Sequence, residues 1–292
     1  MGIGDDFSKF CSDLTVNNAG DISYRYCRIT KRLNNEYWNT ESDTAHSFYT
    51  GSYGRGTARR GFSDLDMIFH LPASMYDQYN RYYSNGQSVL LQNVKTAIEV
   101  TYPDTKVGGD GQVVVVQFGD GMRFEVVPAF VNTEGSYTFP DSNAGGSWKT
   151  TNPRPEIDAI ASRNSVTNGN LIQLCRMMRA WKEVWSVPMG GLHLDTLAYG
   201  FIENWPSRDK SFLYYDWIVR DFFTYMKDQD PTQNFWRAPG SGQWVHRRGD
   251  FEYKALRCYN LSLDAIRLYD ESKIWSARQK WREIFGTAFP DS

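Results

Sequence analysis

Four cysteines and four histidines in 292 residues leave little from which to build a zinc module or a disulfide framework. Cys11, Cys27, Cys175 and Cys258 are scattered with no C-x-x-C pair, and His46, His70, His193 and His246 do not cluster with them, so neither kind of staple is expected. Charge of one sign is also missing. Lys and Arg number 32 against 34 Asp and Glu, a formal net charge of -2, which excludes a protein that coats duplex nucleic acid through a global basic excess but allows a local basic cleft. No stretch approaches the ~20 apolar residues of a membrane helix. The opening MGIGDDFSKF has no basic region followed by an apolar one, so a soluble cytoplasmic protein with no membrane partner is the expectation. No internal repeat is visible.

What the chain does have is apolar and aromatic mass. Hydrophobic residues make up 41% and charged residues 23%, enough for one large core or two modest ones. The 10 Trp, 18 Tyr and 17 Phe supply large flat surfaces, suited either to a core or to base stacking.

Phe7, Phe10, Leu14, Ile22, Tyr26, Ile29 and Leu33 recur at helical spacing with a polar break between them, predicting one or two helices before residue 39. His46 to Leu71 reads as short β-like runs around a Gly-rich stretch, and Tyr76 to Tyr102 as helix. Val113 to Val116 and Phe124 to Val126 read as strands joined by the turn Gly119-Asp120-Gly121. The polar segment from Val131 to Pro155, with Gly145-Gly146 and Pro140, Pro153 and Pro155, is expected to be a long connection between lobes. Beyond it Leu171, Leu174, Met178, Trp181 and Trp185 trace one stripe. Leu194, Leu197, Phe201, Phe212 to Met226 and Tyr253 to Phe285 predict further helices. The expected fold class is α+β, mixed in residues 1–155 and all-α in 156–292.

The chemistry concentrates in Gly51-Ser-Tyr-Gly-Arg-Gly-Thr-Ala-Arg-Arg-Gly-Phe-Ser-Asp-Leu-Asp66. Gly51 and Ser52 form a small-residue turn able to bring backbone N–H groups close to phosphate oxygens. On a strand, Asp64 and Asp66 point to one face while Leu65 and Met67 turn inward. Two carboxylates so placed can hold a pair of Mg2+ ions for in-line attack on phosphorus. Gly-Lys-Ser/Thr does not follow, so this is no Walker loop, and the alternating acids of an EF-hand are missing. A third carboxylate is wanted from a neighbouring strand. In Met122 to Val127 the side chain of Glu125 lies opposite the apolar face of Phe124 and Val126, just before Pro128, which is expected to end the ladder. Asp110 and Asp120 are its rivals, both among glycines.

Gly51-Ser52, Asp64-Leu-Asp66 and Glu125-Val-Val-Pro-Ala129 resemble the signature of the polymerase-β-like nucleotidyltransferase superfamily, and specifically of the bacterial cGAS/DncV-like nucleotidyltransferases. Trp281-Arg-Glu-Ile-Phe-Gly-Thr-Ala-Phe-Pro290 is similar to the ending of many bacterial members. Leu174-Cys-Arg-Met-Met-Arg-Ala-Trp-Lys182 is similar to the helix that carries their triphosphate-binding base. The resemblance implies a bilobed enzyme, a nucleotidyltransferase lobe plus a helical bundle with the active site in the cleft. It further implies synthesis of a cyclic di- or trinucleotide messenger from NTPs, ATP or GTP foremost, that activates a downstream effector in anti-phage defence. By the same resemblance Ser52 contacts the donor phosphates. Asp64, Asp66 and Glu125 bind two Mg2+ ions, with Mn2+ able to substitute, and Glu125 helps deprotonate the attacking hydroxyl. Arg179, where the family usually has Lys, and Lys182 hold the triphosphate tail. The third acid is commonly Asp. Where animal relatives carry a serine and a stacking tyrosine, Gly191 and Leu192 stand here, and the zinc module that reads DNA has no counterpart, so stable DNA binding is not expected.

Two other readings of the same site are transfer of a nucleotide to RNA, a protein or a small molecule, and a non-catalytic nucleotide-binding or toxin-neutralising relative. From Trp236 to Arg282 ten Lys/Arg stand against five Asp/Glu, interleaved with Trp244, Tyr253, Tyr259, Tyr269, Trp275 and Trp281. Such a mixture serves either as a solvated bundle face with its aromatics in the core or as a nucleotide cradle. His193, at an apolar helix start, reads as a core or capping residue.

Overall fold

The computed structural model describes residues 2–61 and 64–291; Met1, Phe62, Ser63 and Ser292 lie outside it, two of them within the Gly51 to Asp66 segment. The elements run α1 (Ile3–Leu14), α2 (Ala19–Tyr37), β1 (Ser47–Tyr49), α3 (Gly51–Gly54), β2 (Asp64–His70), α4 (Tyr76–Asn80), α5 (Gly86–Thr101), β3 (Lys106–Asp110), β4 (Val113–Gln117) and β5 (Arg123–Val131). They continue with β6 (Tyr137–Asp141), β7 (Ser147–Thr151), α6 (Pro153–Val166), α7 (Asn170–Val184), α8 (Gly191–Asn204), α9 (Tyr215–Lys227), β8 (Phe235–Arg237), β9 (Trp244–His246), α10 (Glu252–Asp270) and α11 (Ile274–Phe285). Two compact units result: Asn17–Gly54 with Phe62–Arg154, and Met1–Val16 with Arg55–Gly61 and Pro155–Ser292.

The first unit is a seven-stranded mixed sheet with the path β1-β2-β5-β4-β3, to which β6 and β7 attach through the far end of β5. Strands β2 and β5 are parallel, and β1, β4 and β3 pair antiparallel to their neighbours. Alternation makes the buried face. Leu65, Met67 and Phe69 on β2, Phe124 and Val126 on β5, and Val114 and Val116 on β4 are all buried. Each contributes about 1.5–3 kcal/mol on leaving water. Helix α5 lies against β3, β4 and β5 and packs on α2, whose Ile22, Ile29 and Leu33 form a single buried stripe. Asn85 opens α5 from a left-handed conformation, its side chain accepting from the Ser88 amide at 2.9 Å.

The polar segment expected to be a bare connection instead forms the β6–β7 hairpin, paired from Tyr137↔Thr151 to Asp141↔Ser147. Its burial alternates too weakly along a Gly- and Ser-rich stretch to read as strand. Pro128 does not end the ladder either; it sits inside β5, opposite Phe69 of β2. Pairing with β4 stops at Val126 and pairing with β6 begins at Phe130. The Ala129 carbonyl faces β2, where it accepts from the Leu71 amide. The nitrogen of Pro128 therefore faces the gap between β4 and β6, where no amide donor is needed.

The second unit is helical apart from the small β8–β9 hairpin, which departs from the all-α expectation. Its core joins Phe7 and Phe10 of α1, Trp181 of α7, Phe222 and Phe223 of α9, and Trp281, Phe285 and Phe289 at the C-terminal end. Helix α1, expected with the first lobe, belongs here: Phe7 meets Trp281 edge-on at 5.1 Å and Phe289 at 5.2 Å. Asp6, fully buried, adds a polar lock, receiving Arg278 Nε and Nη2 at 2.8 and 2.9 Å together with the Tyr269 hydroxyl. Among the described residues no helix is long and apolar enough to cross a membrane.

Asp6→Ala strands the largely buried Arg278 without its carboxylate and is expected to cost about 3–5 kcal/mol. Urea denaturation checks this; a loss below about 1 kcal/mol would show that the lock is a surface pair in energetic terms.

Candidate active site

Five of the seven residues singled out in the sequence come together in the sheet unit. The parallel register of β2 and β5 places Asp66 opposite Glu125 and Asp64 opposite Arg123. Since Leu65 and Phe124 are buried beneath, the side chains of Asp64, Asp66 and Glu125 all leave the sheet on its other face. The strand bearing Glu125 is therefore the direct neighbour of the strand bearing the paired aspartates.

The Gly51-Ser52 turn meets this acid face from β1. The Thr50 amide donates to the Asp66 carbonyl at 2.8 Å, and the single turn α3 closes with the Gly54 amide on the Thr50 carbonyl at 2.8 Å. Gly51 has φ +57, and a Cβ there would lie 1.7 Å from Asp66 Oδ2. Only glycine lets the backbone come this close to the carboxylate. Ser52 is the next residue along.

Arg123 supplies the counter-charge. Its Nη2 is 2.7 Å from Glu125 Oε1 and 3.6 Å from Asp110 Oδ2, and its Nε is 4.0 Å from Asp64 Oδ1. Glu125 is nonetheless pushed above the usual carboxylate range, by burial first, then by the Asp66 charge, with Arg123 opposing and Asp64 and Asp110 adding. The rivals for the third acid part company. Asp120 stays in its turn, chelated by Arg25 at 2.9 and 2.8 Å, whereas Asp110 ends β3 next to Arg123.

Among the described residues no three His, Cys, Asp or Glu side chains are drawn together as a ready-made metal cage. The donor set nevertheless fits magnesium, which takes hard oxygen ligands and is usually held by one or two carboxylates plus substrate phosphates. The crowding that, after burial, pushes Glu125 up is what a divalent ion relieves.

Arg179 and Lys182 lie on α7 in the helical unit, among other cations. Lys182 is lowered by burial and then by Arg179 and Arg248, and Arg59 by burial and then by Arg179. Gly191 explains its own presence: a Cβ there would be 2.6 Å from Arg179 Nη1, so the glycine makes room for the guanidinium. Arg179 is anchored by a residue that the sequence reading missed. Asp195, fully buried on α8, accepts Arg179 Nη2 at 2.7 Å, Arg55 Nε at 3.0 Å and the Thr57 hydroxyl at 2.8 Å. The signal was present, an Asp between Leu194 and Leu197 on the buried side of a helix, but nothing local named its partners. Arg176 adds hydrogen bonds to the carbonyls of Gly56 and Ala58 at 3.1 Å each, which is why residues 55–61 belong to the helical unit.

The C-terminal aromatics divide. Trp281 is fully buried and Tyr259 and Tyr269 pack against the core, whereas Trp244, Tyr253 and Trp275 are exposed, Trp244 beneath the Arg237 guanidinium at 3.2 Å. His193 is a core residue, 4.1 Å from the Trp236 ring, and burial pushes it down to about 4.

The model of the Second Messenger Oligonucleotide or Dinucleotide Synthetase (SMODS) domain matches residues 1–164. The chain belongs to the SMODS family. A probable cyclic nucleotide synthase of Bacillus cereus is 25% identical to this SMODS protein over 182 residues, 57% of the chain but only 51% of the relative's length. The cyclic AMP-AMP-AMP synthase of an Acinetobacter species is 23% identical over 96% of the chain and 82% of its own. In fold, the SMODS chain is similar to a chain of the Escherichia coli MS115-1 CdnC:HORMA-deltaN complex, with TM-score 0.69, 15% identity and 98% of each chain covered.

Asp195 lies below the usual carboxylate range because Arg179, Arg55 and Thr57 together outweigh the burial that would raise it. Its ionised form stabilises the fold above about pH 4, and that contribution is lost as pH falls toward the lower folded-state pKa. Asp195→Asn is expected to cost about 3–5 kcal/mol at neutral pH. The difference from wild type should shrink on acidification, as followed by urea melts at several pH values; a difference independent of pH would contradict the ionised assignment.

Proposed function

We propose that this chain is a metal-dependent nucleotidyltransferase that joins NTPs into a cyclic oligonucleotide with release of pyrophosphate. The observation that carries the reading is the β2–β5 register, which sets Glu125 beside Asp66 on one sheet face with the Gly51-Ser52 turn against it. Support also comes from SMODS membership and from two relatives named as cyclic nucleotide synthases.

In the proposed reaction a ribose hydroxyl attacks the α-phosphorus of the donor. The new P–O bond forms as the bond to pyrophosphate breaks, and the hydroxyl proton leaves for a carboxylate. Glu125 suits that role by its place, a carboxylate beside Asp66 on the face that the attacking hydroxyl would approach. Asp64, Asp66 and Glu125 would hold two Mg2+ ions, which when bound polarise the attacking and leaving oxygens. Ser52 would donate to a donor phosphate oxygen, while Arg179 and Lys182 would take the triphosphate tail. The cation cluster around α7 favours that assignment, although Arg179 is committed to Asp195 through Nη2. Arg in place of Lys offers a planar fork, so one edge can stay on Asp195 while another turns to phosphate. The product would be a messenger for a downstream effector in anti-phage defence.

Incubation with Mg2+ and labelled NTPs tests the reading. A phosphatase-resistant cyclic product is expected, whereas a labelled RNA, protein or small molecule would mark transfer to an external acceptor. No turnover would mark a non-catalytic relative. Asp64→Asn with Asp66→Asn should abolish product, with a melting temperature near wild type because repulsion between the carboxylates is relieved. Glu125→Gln should be nearly inactive and Glu125→Asp partly active. Glu125→Gln turning over at the wild-type rate, with Asp110→Asn dead, would move the third acid to the β3 end.

Gly51→Ala probes the turn alone. The left-handed backbone costs an alanine on the order of 1–2 kcal/mol, and the added methyl must displace the Asp66 carboxylate. Product formation should fall at least tenfold while the chain still folds, measured by initial rates beside a thermal melt. A wild-type rate would show that Asp66 works without the contact.

A further inference from the structure

We propose that Arg123 is a positioning residue of the acid face, an internal counter-cation that holds Glu125 in the metal-free protein and passes to Asp110 when divalent ions arrive. This rests on the reading of Asp64, Asp66 and Glu125 as metal ligands. Arg123 is paired with Glu125, Asp110 and Asp64, and it lies among the acids by register, opposite Asp64 on β2 and opposite Gln117 on β4. Its Nη2 is shared unequally, 2.7 Å from Glu125 and 3.6 Å from Asp110. A small rotation of the guanidinium thus exchanges one carboxylate for the other.

The surroundings leave room for that exchange. On the Asp110 side lies a cavity of about 280 Å³ whose lining includes Lys106, Gly108, Asp110, Val115, Gln117 and Arg123. Position 108 carries no side chain, and even a Cβ there would touch nothing within 4 Å. Arg123 Nε is buried with no hydrogen-bond partner, a donor left for a turn of the guanidinium to satisfy. A guanidinium carries five donors in a fixed planar fork whose separate edges address two carboxylates, a geometry that a compact ammonium on a flexible stem does not reproduce.

The consequence is a threshold. A divalent ion arriving alone must displace Arg123 from Glu125, whereas one arriving with a triphosphate brings its own oxygen ligands and needs fewer from the protein. Loading of the acid face is thereby tied to the presence of nucleotide.

Mn2+ binding without nucleotide, read from the free-ion EPR signal and independent of turnover, tests this in a cycle of Arg123→Gln, Asp110→Asn and the double variant, with Asp66→Asn as reference. Arg123→Gln should bind Mn2+ about two- to fivefold more tightly, the size expected for removing a partly exposed ion pair. Asp110→Asn alone should weaken binding, and should do nothing further once Arg123 is gone, because its role is to receive the guanidinium. Additive effects would overturn the exchange and leave Asp110 as a plain charge. Unchanged or weaker binding by Arg123→Gln would overturn the counter-cation role. An Asp66→Asn protein that binds Mn2+ like wild type would instead sink the metal-site reading itself. If Arg123→Gln does not fold, Arg123→Lys replaces it: the coupling to Asp110 should vanish while the charge remains, and a coupling equal to wild type would refute the exchange.

Discussion

The pairing of β2 with β5 in one parallel register is the constraint on which the acid face depends. A slip of one residue along either strand would send Asp66 or Glu125 into the core and bring Leu65 or Phe124 to the surface. The register is held from beneath by Leu65, Met67, Phe124 and Val126, all buried, so the same apolar residues that stabilise the sheet also fix the spacing of its carboxylates. Crowding three acids on one face costs electrostatic free energy. The structure offsets it locally with Arg123, the residue that the register sets opposite Asp64. The acid face is thus a charged surface that Arg123 partly neutralises.

Much of this was legible because strand periodicity is a strong signal where one face is buried. The apolar/acid alternation of Asp64-Leu65-Asp66-Met67 and of Phe124-Glu125-Val126 predicted both orientations, and β4 followed from a run of four valines. The readings that failed did so where the deciding contact is distant in sequence. Pro128 reads as a strand terminator until the gap between β4 and β6 is known. The β6–β7 hairpin hides in a Pro- and Gly-rich stretch because it sits at the end of the sheet, with little buried alternation to reveal it. Helix α1 reads as part of the first lobe, since nothing in its own residues says that Phe7 will meet Trp281.

Asp195 belongs to the same class of distant contact and carries more for the site. A carboxylate in the interior is expensive unless fully paired, and Asp195 meets that requirement with Arg55, Thr57 and Arg179. Two of these partners lie in the stretch between Ser52 and Asp64. The third was read as a phosphate ligand on its own. One buried acid therefore holds both a segment of the signature and a guanidinium of the α7 cation cluster, and Gly191 has no side chain so that this guanidinium can fit.

Arg123 and Arg179 then follow the same logic at two places in the molecule. Each is a guanidinium held by a carboxylate of the chain: Arg123 by Glu125, partly exposed, and Arg179 by Asp195, fully buried. Burial decides how each can respond. The Asp195 pair is desolvated, and breaking it would leave an uncompensated charge, so on the proposed reading Arg179 would engage phosphate only with the edge that Asp195 does not use. The Glu125 pair is reached by solvent, its partner Asp110 is within reach, and the cost of exchanging one carboxylate for the other is small. On the proposed reading, a fixed cation would suit a triphosphate tail held in one place through successive transfers, and a movable cation would suit a set of acids that accepts metal ions only with substrate.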